Sequence, residues 1–224
     1  MKLHAPLWIL LVAVGAALSS CNDQPASAGE VLSMTAEKKA PPLALFPLAD
    51  PGRSDTSWNL SEELTAQIHH RLAQRRQVRL VDPDLVKRSM KRAKNSPSPF
   101  SADISWMHQM FGEHRFVAFM ELVEHEEIPL APRRDIPLEK TPSELNISVR
   151  VRVVDVRSEI PRVVLQEVVS VSHAIPRQLN KANFERISPG GEGFYATPLG
   201  IAHEEICKEI ASRIEKYTLL GAGE

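Results

Sequence analysis

Ile147-Ser148-Val149-Arg150-Val151-Arg152-Val153 alternates apolar with polar residues. Successive side chains of a strand point to opposite faces, so this stretch predicts a strand with one buried and one wet face. Val154 directly after Val153 shifts the phase and predicts a bulge. Residues 157–161 turn the chain. Val163, Leu165, Val169 and Val171 then return on a second strand, with Glu167 breaking the apolar row. Upstream, residues 116–123 (FVAFMELV) are almost unbroken apolar sequence, the pattern of a central strand covered on both sides.

Helices surround these strands. Leu60, Leu64, Ile68 and Leu72 recur every four residues and share one helix face. Asn59 with Glu62 three residues on forms a capping-box pattern at its start, and Arg71, Arg75 and Arg76 near its end complement the helix dipole. Asp82-Pro83 opens a second helix with Leu85, Val86 and Met90 inward. Residues 101–111 predict a third, and Pro198 opens a last one with Ile206, Ile210, Ile214 and Tyr217 as its stripe. Residues 42–48 (PLALFPL) and 78–81 (VRLV) predict two short strands. The expected order is β-α-β-α-α-β-β-β-α, an α+β fold in which a mixed sheet packs with helices. Residues 125–144 carry Pro129, Pro132, Pro137 and Pro142 and are expected as an irregular loop, as are residues 175–196.

The amino-terminal region has a different character. Leu7 to Leu18 is an apolar run behind Lys2 and His4, the length of a signal-peptide core and shorter than the about 20 residues a spanning helix needs. Leu18-Ser19-Ser20-Cys21 follows and resembles a bacterial lipobox. This predicts a signal peptide over 1–20 and lipidation of Cys21 by acyl chains such as palmitate. Residues 21–41 are expected to be the lipidated cysteine and a flexible tether with a reach of roughly 25 Å. Residues 42–218 are expected to form a single periplasmic α/β domain, and 219–224 a tail. Asn22 rather than Asp after Cys21 points to the outer membrane, with the domain facing the periplasm.

Composition excludes several classes. The net charge of −1 gives no field to attract nucleic acid. With Cys21 carrying lipid, Cys207 has no partner for an internal disulfide. His203-Glu204-Glu205-Ile206-Cys207 begins like a zincin helix but lacks the second histidine. His69-His70 and His125-Glu126-Glu127 also lack a second ligand pair at helical spacing. Gly190-Gly191-Glu192-Gly193 lacks the lysine and spacing of a phosphate loop. No metal, cofactor or catalytic constellation is expected, and the chain is not expected to be an enzyme. Lys87, Arg88, Lys91, Arg92 and Lys94 make a basic patch that reads either as a solvated helix face or as a contact to an anionic surface.

Several stretches together resemble the periplasmic domain shared by CsgG, LpoB and the amino-terminal domain of TolB. They are Leu43-Ala44-Leu45-Phe46-Pro47, the Leu60–Leu72 helix followed by Val78-Arg79-Leu80-Val81-Asp82, residues 112–122, and Val153-Val154-Asp155-Val156-Arg157. Small lipoproteins of chlamydia-like bacteria, of unknown function, are equally similar. The resemblance implies a membrane-anchored lipoprotein whose domain binds an envelope protein partner without catalysis. The segments expected to bind are 125–144 and 174–196, because loops on a rigid scaffold carry recognition. The alternative it implies is an oligomeric secretion-channel subunit of the curli-secretion type, using the 145–172 hairpin to line a pore.

Overall fold

The computed structural model describes residues 40–52, 54, 56–130, 141–176 and 187–223. The predicted signal peptide, Cys21 and most of the tether lie outside them. The described elements are β1 (Pro42–Leu45), α1 (Leu60–Arg75), β2 (Arg79–Leu80), α2 (Pro83–Arg92), a 3-10 turn (Ala93–Asn95), α3 (Trp106–Phe111), β3 (Phe116–Pro129), β4 (Ser143–Asp155), β5 (Arg162–Ile175) and α4 (Pro198–Ala222). Their order is the predicted one. They build a five-stranded sheet in the order β2-β1-β3-β4-β5. β1 runs parallel to β2 and β3, whereas β3, β4 and β5 are antiparallel, so the sheet is mixed as expected and β3 is its centre.

The sheet buries both faces of its centre. Under α1 and α4, Ile147, Val149, Val151 and Val153 meet Leu64, Ile68, Ile206, Ile210 and Ile214. Each such side chain, fully buried, is worth about 1.5–3 kcal/mol of apolar transfer. Under α2 and α3, a smaller aromatic core joins Phe46, Phe111 and Phe119, with ring centroids 4.7 to 5.7 Å apart.

Local chemistry sets the helix ends. Asn59 Oδ1 accepts from the Glu62 N–H at 3.1 Å. The return bond of the capping box goes to the Asn59 side-chain amide, 3.4 Å from Glu62 Oε2, rather than to its backbone. Asp82 accepts from the Asp84 N–H at 2.7 Å. Thr197 Oγ1 accepts from the Gly200 N–H at 3.0 Å and starts α4. Arg71 and Arg75 act between helices: Arg71 binds Glu204 at 2.6 Å and Arg75 approaches Glu215 at 3.6 Å, tying α1 to α4.

Five expectations need correction. The loop expected over 125–144 is strand at both ends, since β3 runs to Pro129 and pairs there with Ser143. The register shift between Leu122 and Glu124 changes the phase of β3, and beyond it the sequence turns acidic, so no clean alternation marks the strand. β5 likewise runs to Ile175. Only Trp106–Phe111 of the 101–111 stretch is helical. On α2, Val86 is buried but Leu85 and Met90 are exposed. α4 continues to Ala222, into the stretch expected as a tail. The bulge predicted at Val153-Val154 is present as a register shift against β5.

Candidate functional site

Two residues break the apolar stripes of their own helices. Glu63 lies between Leu60 and Leu64 on the buried face of α1, and His203 lies three residues before Ile206 on the buried face of α4. Each is buried. Burying a polar group costs free energy unless it is hydrogen-bonded, and here each pays for the other. His203 Nδ1 donates to Glu63 Oε2 at 2.7 Å. On its other side, His203 Nε2 lies 3.1 Å from Nε2 of His125 on β3. A carboxylate can only accept, so His203 carries its hydrogen on Nδ1, and one further proton serves the contact between the two rings.

The segment 187–197 closes over this chain. Tyr195 donates its hydroxyl to Glu63 Oε1 at 3.4 Å, and Phe194 packs edge-on against His203 and Trp58, with centroids 5.4 and 5.9 Å apart. Gly200 permits that closure. A Cβ there would stand 2.0 Å from the Phe194 carbonyl oxygen, so any other residue would push the segment off α4. Between α1, this segment and α4 opens a polar cleft of about 950 Å³, lined by Trp58, Gln67, Arg71, Gln74, Glu192 and Tyr195 among others.

Burial dominates the electrostatics around the pair. Burial, then repulsion from His203, pushes His125 down to about 4. Burial and the Glu63 charge push the Tyr195 hydroxyl and the Cys207 thiol upward. All three are therefore neutral at pH 7. Cys207 is a free, buried thiol whose Sγ lies 3.7 Å from the Leu64 carbonyl. Among the described residues no group of three or more side chains is arranged to hold a metal ion.

The remaining motifs disperse. His70 bonds Gln74 at 2.8 Å. Glu204 and Glu205 point outward to Arg71 and His173. The glycines of 190–193 serve the turn that carries Tyr195, with Gly190 at φ 79°. In the basic patch, Arg92 binds Glu113 and Lys87 lies 3.5 Å from Asp84. The wet face predicted for β4 is only partly wet. Arg150 is half exposed, stacked over Phe100 at 5.4 Å. Arg152 is buried and donates to the Pro99 and Ser101 carbonyls at 2.7 Å and to Phe100 at 3.2 Å. Neither Glu63 nor Tyr195 was singled out by motif; a carboxylate on an apolar helix stripe was the available signal.

A model of a protein family of unknown function, DUF7499, matches residues 31–222. The chain belongs to DUF7499. No curated protein matches it. Among solved structures, it is similar to the hypothetical protein CT253 from Chlamydia trachomatis, with a TM-score of 0.61 and 22% identity over 80% of this chain and 97% of that one. That likeness shows a shared fold, and it agrees with the resemblance to proteins of chlamydia-like bacteria. Lipoprotein GNA1162 from Neisseria meningitidis matches at a TM-score of 0.41 and 15% identity, over 77% of this chain and 99% of that one. The LpoB C-terminal domain from Escherichia coli matches at 0.37 and 12%, over 63% and 90%. These last two are too remote to carry an inference, so the resemblance to CsgG, LpoB and TolB rests on the sequence alone.

Proposed function

We propose that this DUF7499 protein is a non-catalytic envelope lipoprotein, anchored through lipid on Cys21, whose domain binds an envelope protein partner at the cleft between α1, residues 187–197 and α4. One observation carries the reading. The two segments expected to bind, 125–144 and 174–196, are far apart in sequence, yet His125 from the first and Tyr195 from the second both reach the Glu63–His203 pair. A buried polar chain beside an open polar cleft suits recognition. The lipobox supports the anchor, and Asn22 supports placement in the outer membrane facing the periplasm.

The secretion-channel reading is weaker. A pore hairpin needs a lipid-facing side, but the apolar side of β4 is spent under α4, with Ile147, Val149, Val151 and Val153 fully buried.

Two measurements test the proposal. Metabolic labelling with palmitate is expected to mark the wild type and to be lost in Cys21→Ser; a label that survives removes the anchor. A photo-crosslinking residue at Gln67, in the cleft, is expected to capture an envelope protein, and one at Arg88, on α2, is not. Capture from Arg88 alone moves the binding face to α2.

A further inference from the structure

The basic patch on α2 lies on the other side of the sheet from the cleft. Val86 and Ser89 turn inward, and at 3.6 residues per turn Lys87, Arg88 and Lys91 project away from them. All three are exposed. Leu85 and Met90 flank them and are 40% and 39% exposed. Basic side chains interleaved with apolar ones are the pattern of a helix that lies on a membrane surface. Asp84 pairs with Lys87 and Glu113 with Arg92. Arg88, Lys91 and Lys94 have no acidic partner among the described residues. Arg76 and Arg79, both exposed, extend the patch past the start of α2.

The chain enters the domain on this same side. Ala40 lines one groove with Arg76, Arg79 and Pro83, the first residue of α2. Pro42 lines another with Arg79 and Leu85, and the Arg79 N–H donates to the Pro41 carbonyl at 2.9 Å. Cys21 is 19 residues upstream of Ala40. As a tether such a length reaches about 25 Å, whereas α2 is about 15 Å long. A lipid on Cys21 therefore holds a bilayer within reach of the whole helix.

We propose that α2 docks on the bilayer that holds the Cys21 lipid, with its basic side chains on anionic phospholipid head groups. The docking rests on the lipid anchor proposed above and adds to it the orientation of the domain. Each Lys or Arg near an anionic surface strengthens attachment by only about fivefold. A tether makes such small gains count, because the surface is always at hand and docking becomes an equilibrium within one molecule. An acidic protein would meet the same charges, but the position of Ala40 beside the patch is what favours the bilayer. With α2 on the membrane, the cleft between α1, residues 187–197 and α4 faces away from it, open to a protein partner.

The test uses the full-length lipidated protein in vesicles of equal parts phosphatidylcholine and phosphatidylglycerol, with a quencher on the lipid head groups. A fluorophore is placed on Met90→Cys or, as the control, on Lys208→Cys, exposed on α4 across the sheet. Quenching is expected at 90 and not at 208. It is expected to vanish in vesicles of phosphatidylcholine alone. It is also expected to weaken as salt shortens the screening length from about 10 Å at 0.1 M to about 3 Å at 1 M. Lys87→Gln combined with Lys91→Gln is expected to lower the docked-to-free ratio about 25-fold. The thermal melt is expected to stay put, since both side chains are exposed. Vesicle-bound protein whose probe at 90 stays unquenched would overturn the docking and leave the anchor standing. Equal quenching at 208, quenching indifferent to phosphatidylglycerol, or a double variant that docks like the wild type would overturn it too. Protein that does not float with the vesicles would instead remove the anchor, and the docking with it.

Discussion

The sheet buries polar groups on both of its faces, and it satisfies them in opposite ways. Under α1 and α4, Glu63, His203 and His125 satisfy one another through side chains. Under the 99–101 segment, Arg152 donates to three main-chain carbonyls and to the Gln166 side chain, while its Nε stays buried with no partner among the described residues. The first arrangement depends on titratable groups and so on pH. The second depends on a guanidinium that keeps its proton under all ordinary conditions and on a loop held in one conformation. A chain of side chains from three elements suits a site; a single charge gripping a loop suits a fastener.

The largest expected effect lies in the first centre. Glu63→Ala leaves His203 buried without its acceptor and is expected to cost about 3–5 kcal/mol, read from denaturant unfolding. A loss below about 1 kcal/mol would show that the chain of three is not structural.

The pH response separates the two centres next. The His125 pKa is about 4 in the folded protein against an ordinary 6.5, so below pH 6.5 the unfolded chain binds the extra proton and the folded one does not. Stability is therefore full above about pH 6.5 and falls as pH drops toward 4, by up to about 3 kcal/mol. His125→Asn is expected to flatten that part of the profile, and Arg152→Met to leave its slope intact. A wild-type profile flat from pH 7 to 4 would contradict this.

A smaller loss, about 2 kcal/mol, is expected for Arg152→Ala, which strands the carbonyls of Pro99, Phe100 and Ser101. Hydrogen exchange should then rise near 99–105 and stay unchanged in α1. The smallest effect, about 1 kcal/mol, is expected for Asn59→Ala, which removes the α1 cap without touching either centre.

Much of the fold was legible because its signals are local. The Leu60–Leu72 spacing, the Asn59 and Asp82 caps, the apolar run from Phe116 and the bulge at Val153-Val154 each lie within a few residues. The second half of β3 was not legible. Glu124, His125, Glu126 and Glu127 belong to a strand only because Ser143–Ser148 lies alongside them. Arg152 looked like a solvent-facing residue by alternation, and only the return of residues 99–101 over it made it buried. The site was the least legible part. His203 is 140 residues from Glu63 and 78 from His125, and no motif spans such separations.

The sequence by itself determined the element order, the starts of α1, α2 and α4 and which strand would be central, because turn chemistry and apolar periodicity act between near neighbours. Tertiary structure alone decided the meeting of Glu63, His203 and His125 and the burial of Arg152. Those depend on which surfaces face one another once the sheet has closed, and the cost of burying a polar group is set by the partner it finds there.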